Sequence, residues 1–88
     1  MERELKIGGI YRHFKGKEML YEVIEEAIDS ETLEKIVIYK SLYEHGNYKK
    51  GTVWARNKSN FLARVDENKE NPNNQEYRFE YIGEDIDA

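Results

Sequence analysis

The chain has 88 residues, of which 36% are charged, and it carries a formal net charge of −4. A chain of this length forms one domain with a small core, and its net negative charge counts against generic affinity for nucleic acid. Cysteine is absent, which excludes disulfides and thiolate chemistry and fits a cytoplasmic protein. No apolar run approaches the roughly 20 residues of a membrane span, so we expect no membrane partner.

Charge is distributed in blocks along the chain. Residues 1–17 and 35–64 are predominantly basic, whereas residues 18–34 and 65–88 are predominantly acidic. Such blocks usually form alternating solvated faces. They also permit a local field whose sign differs from that of the net charge.

The chain begins with a charged segment that leads into a predicted hairpin. Residues 1–8 show no apolar pattern, so we expect a flexible N-terminal segment. Residues 10–14 alternate as a strand does, with Ile10 and Phe14 on one face. Gly16 lies between two lysines and predicts a turn with a positive φ, after which a second strand would complete the hairpin.

Residues 19–28 are compatible with two structures. Their apolar side chains recur at the i, i+3, i+4 spacing of an amphipathic helix. The run that follows, residues 36–39, contains three β-branched residues and a tyrosine, which favours a strand. Periodicity alone therefore predicts a helix and then a strand, and a helical hairpin over residues 17–45 stays open.

The second half of the chain predicts short strands separated by polar loops. We expect strands around Trp54, over residues 61–65 and around Phe79. Residues 57–60 predict a tight turn, which could be one turn of helix. Several short strands at close spacing are typical of a small barrel or sandwich.

The domain is expected to span residues 9–82 and to be followed by an acidic tail at residues 83–88. Aromatic residues make up 12% of the chain, so rings should supply much of the core, since each can bury roughly 150–250 Å². The side chains that we expect to be buried are Tyr21, Val23, Val37, Val53, Phe61 and Phe79.

Several short segments, taken in order, resemble a known family. They are Tyr-Arg-His-Phe-Lys-Gly at residues 11–16, Tyr-Glu-Val at 21–23, Val-Ile-Tyr at 37–39, Val-Trp-Ala-Arg at 53–56 and Arg-Phe-Glu-Tyr-Ile at 78–82. In this order they are similar to the short bacterial proteins of the domain of unknown function 1653 (DUF1653) family. The resemblance implies a single all-β domain, a small SH3-like barrel of five or six strands, in which residues 19–28 form a strand. It implies no assigned activity.

The residues that could support catalysis or metal binding do not form a recognisable motif. His13 and His45, the only histidines, lack the spacing of a metal site. No serine lies in a Gly-x-Ser-x-Gly motif, and no glycine-rich phosphate loop is present. The dense carboxylates of residues 22–29 are typical of a solvated face. We therefore expect no cofactor, no metal and no enzymatic activity.

A set of aromatic side chains interleaved with cations remains. This combination suits base stacking with phosphate pairing, and it suits an extended peptide in an aromatic-lined groove equally well. The candidate binding residues are Tyr11, Arg12, His13, Lys15, Lys40, Tyr43, Trp54 and Arg56.

Part of this set also has a purely structural interpretation. Tyr11, Tyr39 and Trp54 could belong to the barrel core, and the arginines could pair with the acidic residues 18–34. We expect a non-catalytic binding module, cytoplasmic in location, that contacts nucleic acid weakly through its basic middle segment. The alternative is a protein or peptide contact through the aromatic groove, including a homodimer at an open strand edge.

Overall fold

The computed structural model describes residues 3–84, which form five antiparallel strands in one sheet and a single short helix. The order of strands across the sheet is β4-β3-β2-β1-β5. The predicted single all-β domain is thus confirmed, and its open barrel is consistent with an SH3-like fold. The elements are β1 (Ile10–His13), β2 (Leu20–Ile28), β3 (Lys35–Ser41), β4 (Val53–Asn57), α1 (Lys58–Phe61) and β5 (Phe79–Gly83).

The segment with helical spacing is strand β2, as the family resemblance implies. It pairs with β1 on one side and with β3 on the other. A bulge between Val23 and Glu25 interrupts the register with β3. Because a bulge inserts one extra residue and breaks the alternation of the two faces, the apolar residues on either side of Ile24 acquire a spacing that resembles a helix. The helical hairpin over residues 17–45 is therefore wrong.

The connection between β1 and β2 differs from the predicted turn. Gly16 does not have a positive φ, whereas Gly8, Gly46, Gly51 and Gly83 do. A Cβ at position 16 would lie 2.9 Å from Sδ of Met19, so a larger residue there would require this flexible side chain to move.

Residues 61–65 do not form the predicted strand. Helix α1 follows β4 without a connecting loop. The Asn57 side chain stabilises this transition, because it caps the helix by accepting hydrogen bonds from the backbone N–H groups of Ser59 and Asn60. The expected helical turn at residues 57–60 is correct to within one residue. Beyond the helix, Arg64 forms only an isolated bridge with Tyr77.

The core lies on the inner face of the sheet and is dominated by aromatic rings. Phe61 and Phe79 stack with centroids 4.1 Å apart and planes at 9°. The buried cluster consists of Tyr11, Val23, Val37, Tyr39, Phe61 and Phe79. Four of the six predicted core residues are therefore confirmed, and Tyr21 packs against the cluster while half-buried.

Val53 is the exception, because 59% of it is exposed. In the β3–β4 register, Trp54 lies opposite Tyr39 and Arg56 lies opposite Val37. Since side chains alternate along a strand, Trp54 and Arg56 point inward and Val53 points outward. The predicted register of β4 was wrong by one residue.

The ends of the chain lie partly outside the described residues. Residues 1–2 of the predicted flexible segment and residues 85–88 of the predicted acidic tail are not described. Residues 3–8, in contrast, contact the sheet. Arg3 donates hydrogen bonds to the carbonyl oxygens of Leu62 and Phe79, and the N–H of Gly8 donates to the carbonyl of Val23.

The polar loop over residues 66–75 is fastened to β1 by a buried amide. Gln75 is 6% exposed, and its Nε2 donates to the carbonyl oxygens of Arg12 and Tyr77, each at 3.1 Å. Its Oε1 accepts a hydrogen bond from Asn73, whose Nδ2 also donates to the carbonyl of His13. The loop thereby satisfies main-chain groups at the end of β1.

Removal of the Phe79 ring should destabilise the domain strongly. Because this side chain is 1% exposed, we expect Phe79→Ala to lower the free energy of unfolding by about 3–5 kcal/mol. Chemical denaturation measures the effect. The matched control is Val53→Ala, which should change stability by less than about 0.5 kcal/mol since the side chain faces solvent. A larger loss from Val53→Ala than from Phe79→Ala would contradict the observed register.

A glycine at position 33 should stabilise the domain. Leu33 is 73% exposed and has a φ of 65° in the β2–β3 connection. The left-handed conformation costs an L-residue more than glycine loses in chain entropy, so Leu33→Gly should raise the free energy of unfolding by about 0.5–1 kcal/mol. Leu33→Ala keeps the Cβ and should give no such gain. Equal stabilisation by both variants would show that the exposed apolar side chain, and not the backbone, is responsible.

Candidate functional site

The eight predicted binding residues do not form one surface. Tyr11 is fully buried, and its hydroxyl accepts a hydrogen bond from the backbone N–H of Lys6. Arg12 and Lys40 lie on the outer face of the sheet, where their side chains pair with Glu80 at 3.6 Å and with Glu22 at 3.4 Å. The sheet separates Arg12 and Lys40 from the other candidates, whereas Tyr11 is enclosed in the core and offers no surface.

Four of the five remaining candidates come together on the inner face, around the buried rings of Tyr39 and Phe79, whereas Lys15 is exposed in the turn after β1. The His13 and Tyr21 rings approach Phe79 edge to face, with centroids at 4.9 and 5.7 Å. The guanidinium of Arg56 lies 5.1 Å from the same ring. We call this set the aromatic cluster, and its members are His13, Tyr21, Tyr43, Trp54 and Arg56.

Strand register positions most of the cluster. His13 lies opposite Phe79 in the β1–β5 pair, and Trp54 lies opposite Tyr39 in the β3–β4 pair. Tyr21 lies opposite the last residue of β3, and Tyr43 follows that residue by two positions in the sequence. Three strands and one loop therefore contribute, and no single sequence segment contains the cluster.

A hydrogen bond joins the two tyrosines at one end of the cluster. The hydroxyls of Tyr21 and Tyr43 lie 2.5 Å apart, and the rings are nearly perpendicular at 84°. Burial raises the pKa of Tyr21, and the hydrogen bond to Tyr43 raises it further. Tyr21 therefore remains a neutral phenol that can donate or accept a hydrogen bond at physiological pH.

Arg56 is the principal cation of the cluster. Its Nε donates to the Tyr39 hydroxyl at 3.1 Å, and its Nη1 donates to Oδ1 of Asn60 at 2.8 Å. Both partners are neutral, and within residues 3–84 no carboxylate lies within ion-pair distance of Arg56. A half-buried guanidinium with neutral partners is a strong attractor for an anionic group.

The surroundings of His13 combine burial with nearby cations. Burial lowers the pKa of His13 to about 4, and the charges of Arg56, Lys15 and Arg78 contribute to the shift. The ring stacks on Phe14 with centroids 4.8 Å apart. His13 is thus neutral at physiological pH, and the cations around it favour an anion rather than a second cation.

Trp54 lies at the other end of the cluster. Its ring packs edge to face against Tyr48, with centroids 4.8 Å apart, and its Nε1 is buried without a hydrogen-bond partner among the described residues. Tyr48 is 51% exposed and was not among the predicted binding residues. It precedes Lys49 and Lys50 in a polar loop, and this aromatic–basic sequence is the signal that could have identified it.

Other parts of the described chain add little to the site. A cleft of about 640 Å³ lies beside α1, and its lining, which includes Arg3, Lys35, Lys58 and Tyr77, contains none of the predicted binding residues. No three metal-ligating side chains cluster within residues 3–84. In the same part of the chain, no helix is long and apolar enough to cross a membrane.

The fold and the cluster together define a small SH3-like β domain that carries a half-buried aromatic cluster with one arginine. The chain belongs to the family described as "Protein of unknown function (DUF1653)", which matches residues 9–81. The family resemblance of the sequence is thereby confirmed over nearly the whole domain. No curated protein and no solved structure matches the chain.

The stability of the domain should decrease as the pH is lowered, because His13 is neutral in the folded protein. The unfolded chain binds this proton near pH 6.5 and the folded chain near pH 4, so the contribution of His13 is present above pH 6.5 and is lost as the pH falls toward 4. We expect His13→Phe to show a shallower loss of melting temperature over this range, and His45→Asn to retain the wild-type slope. An NMR titration that places the pKa of His13 near 6.5 would contradict the assignment.

Proposed function

We propose that the domain is a non-catalytic binding module that holds an extended acidic peptide against the aromatic cluster. The observation that supports this proposal is the environment of Arg56, a half-buried guanidinium with only neutral hydrogen-bond partners among the described residues. A carboxylate of the ligand would supply the missing counter-charge. Charge-assisted hydrogen bonds between guanidinium and carboxylate are among the stronger contacts in proteins.

The arrangement of the rings favours a peptide as the ligand. Tyr21 meets Tyr39 and Tyr43 at 76° and 84°, so the rings form an angular wall rather than a row of parallel platforms. Tyrosines with an apolar ring and a polar tip can contact apolar side chains and also hydrogen-bond to a peptide main chain. Aromatic-lined grooves that accept extended segments are an established mode of peptide recognition.

The distribution of cations disfavours a long nucleic-acid track. Affinity for a phosphate backbone depends on many lysine and arginine contacts. Two of the cations on which that prediction rested, Arg12 and Lys40, lie on the far face and are paired with glutamates. The net charge of −4 adds a general repulsion.

Single-stranded nucleic acid remains the second candidate because of one local feature. Tyr48 is half exposed and packs against Trp54, and Lys49 and Lys50 follow it directly in the sequence. An exposed ring beside two lysines suits one stacked base and its phosphate. This candidate places the contact on the loop, at the Trp54 end of the cluster.

The absence of catalysis and a cytoplasmic location are parts of the proposal. A general base is most effective when its pKa lies near the working pH, and the pKa of His13 is about 4. The cluster therefore lacks a tuned base at its centre. The cysteine-free composition supports a reducing compartment.

The proposal predicts that Arg56 controls affinity for acidic peptides. Extended peptides can be selected from a displayed random library and then synthesised in two forms, with aspartate and glutamate or with the corresponding amides. We expect Arg56→Gln to weaken binding of the acidic form by about 1.5–3 kcal/mol, roughly 10- to 150-fold, because one charge-assisted contact is lost. Fluorescence polarisation measures both affinities.

Lys40→Gln is the matched control, since it removes one cation from the outer face and should leave peptide affinity unchanged. Thermal unfolding of each variant verifies that the fold is intact. A labelled single-stranded oligonucleotide, titrated in parallel at low and moderate salt, tests the second candidate. Oligonucleotide binding that is lost in Tyr48→Ala, without selection of any acidic peptide, would replace the peptide proposal.

A further inference from the structure

Strand β4 is an edge of the sheet, and its one charged residue, Arg56, points inward. Within residues 3–84 its only neighbouring strand is β3, and the two pair from Val53 to Asn57 without a register shift. Natural edge strands are usually blunted by charges, proline or bulges. The outward-facing residues of β4 are Val53, Ala55 and Asn57, none of which is charged, and the first two are exposed.

The opposite edge of the sheet is better protected. Strand β5 presents Glu80 on its outer face, and its pairing with β1 is irregular between Ile10 and Tyr11. These are two of the devices that prevent edge-to-edge association. The regular register and the uncharged outer face of β4 make it the more accessible of the two edges.

The sequence of β4 is compatible with pairing to its own copy. A two-fold axis perpendicular to the sheet places outward residues of one copy opposite outward residues of the other. The pairing is therefore centred on one residue that lies opposite its own copy, and we name each possible axis by that residue. An axis through Arg56 would oppose two arginines. An axis through Trp54 would oppose Lys50 to Lys58 of the second copy.

An axis through Ala55 avoids both repulsions. It places Ala55 opposite Ala55, Val53 opposite Asn57 and Trp54 opposite Arg56 of the second copy. No like charges then meet along the strand. The small side chain of Ala55 also permits close approach at the axis.

We propose that a second copy of this chain pairs with β4 in antiparallel fashion, across a two-fold axis through Ala55. The interface is isologous, so the same strand contributes from both protomers and the assembly closes as a dimer. The two sheets become continuous, and the open hydrogen-bonding groups of each β4 edge are satisfied. The proposal does not depend on the ligand of the aromatic cluster.

Charge variants at position 55 test the register directly. In Ala55→Lys, two lysines would face each other at the axis, and in Ala55→Glu two glutamates would do so. We expect each variant alone to dimerise at least about tenfold more weakly than the wild type in sedimentation equilibrium, because directly opposed like charges are repulsive. An equimolar mixture of the two variants should restore the dimer, since lysine then faces glutamate.

A control and a second measurement complete the test. Ile82→Lys introduces the same charge on the other edge strand and should leave the dimer intact. Trp54 is the only tryptophan, so its fluorescence should change with wild-type concentration and not with that of Ala55→Lys. Circular dichroism confirms that the variants fold.

Three outcomes would overturn the proposal. The first is a wild-type protein that stays monomeric up to millimolar concentration. The second is loss of the dimer in Ile82→Lys but not in Ala55→Lys. The third is a mixture of the two Ala55 variants that remains monomeric although each variant folds. A monomeric wild type that loses affinity for the selected peptides in Ala55→Lys would assign the edge to a peptide strand instead.

Discussion

Phe61 and Phe79 stack face to face in the gap that the sheet leaves between β4 and β5. The two edge strands do not pair with each other, so side chains and not main-chain hydrogen bonds must fill this side of the domain. Helix α1 makes this possible, because its single turn brings Phe61 inward directly after β4. A domain of this size buries little surface, and one pair of stacked rings is therefore a large part of its core.

The same ring couples the core to the aromatic cluster. The Phe79 ring stacks on Phe61. It also packs against the imidazole of His13 edge to face and lies close to the guanidinium of Arg56. The cluster is therefore built directly on the core and shares its rigidity. Such preorganisation reduces the entropic cost of binding. It also means that substitutions of the supporting rings would change stability and affinity together, whereas substitutions of the outermost side chains separate the two.

The composition, the short alternating segments and the family resemblance were sufficient to predict the all-β domain and most of its core. Register was the part that they could not determine. A shift of one residue exchanges the two faces of a strand, and this explains the exposed Val53. Arg12 and Lys40 are separated from the other candidates by ordinary strand alternation, because each is adjacent in sequence to an inward-facing tyrosine. The bulge at Ile24 had a similar effect, since it gave a strand the spacing of a helix. Tyr48 was missed because it lies in a segment whose polar residues and two glycines predict only a loop, although its ring packs on Trp54 of the next strand.

Gln75 has a consequence for how the chain can change over evolution. Its amide donates to the carbonyl of Arg12, and the amide of Asn73 donates to that of His13, so the loop takes the place of a neighbouring strand at the end of β1. Hydrogen bonds with Asn71 and Asn73 hold Gln75 in place. The loop before it, residues 67–70, is exposed and makes few contacts of this kind. Insertions and deletions are tolerated where the backbone is exposed and free of such bonds. Length variation among relatives should therefore accumulate before residue 71, while the anchoring amide that follows keeps the barrel unchanged.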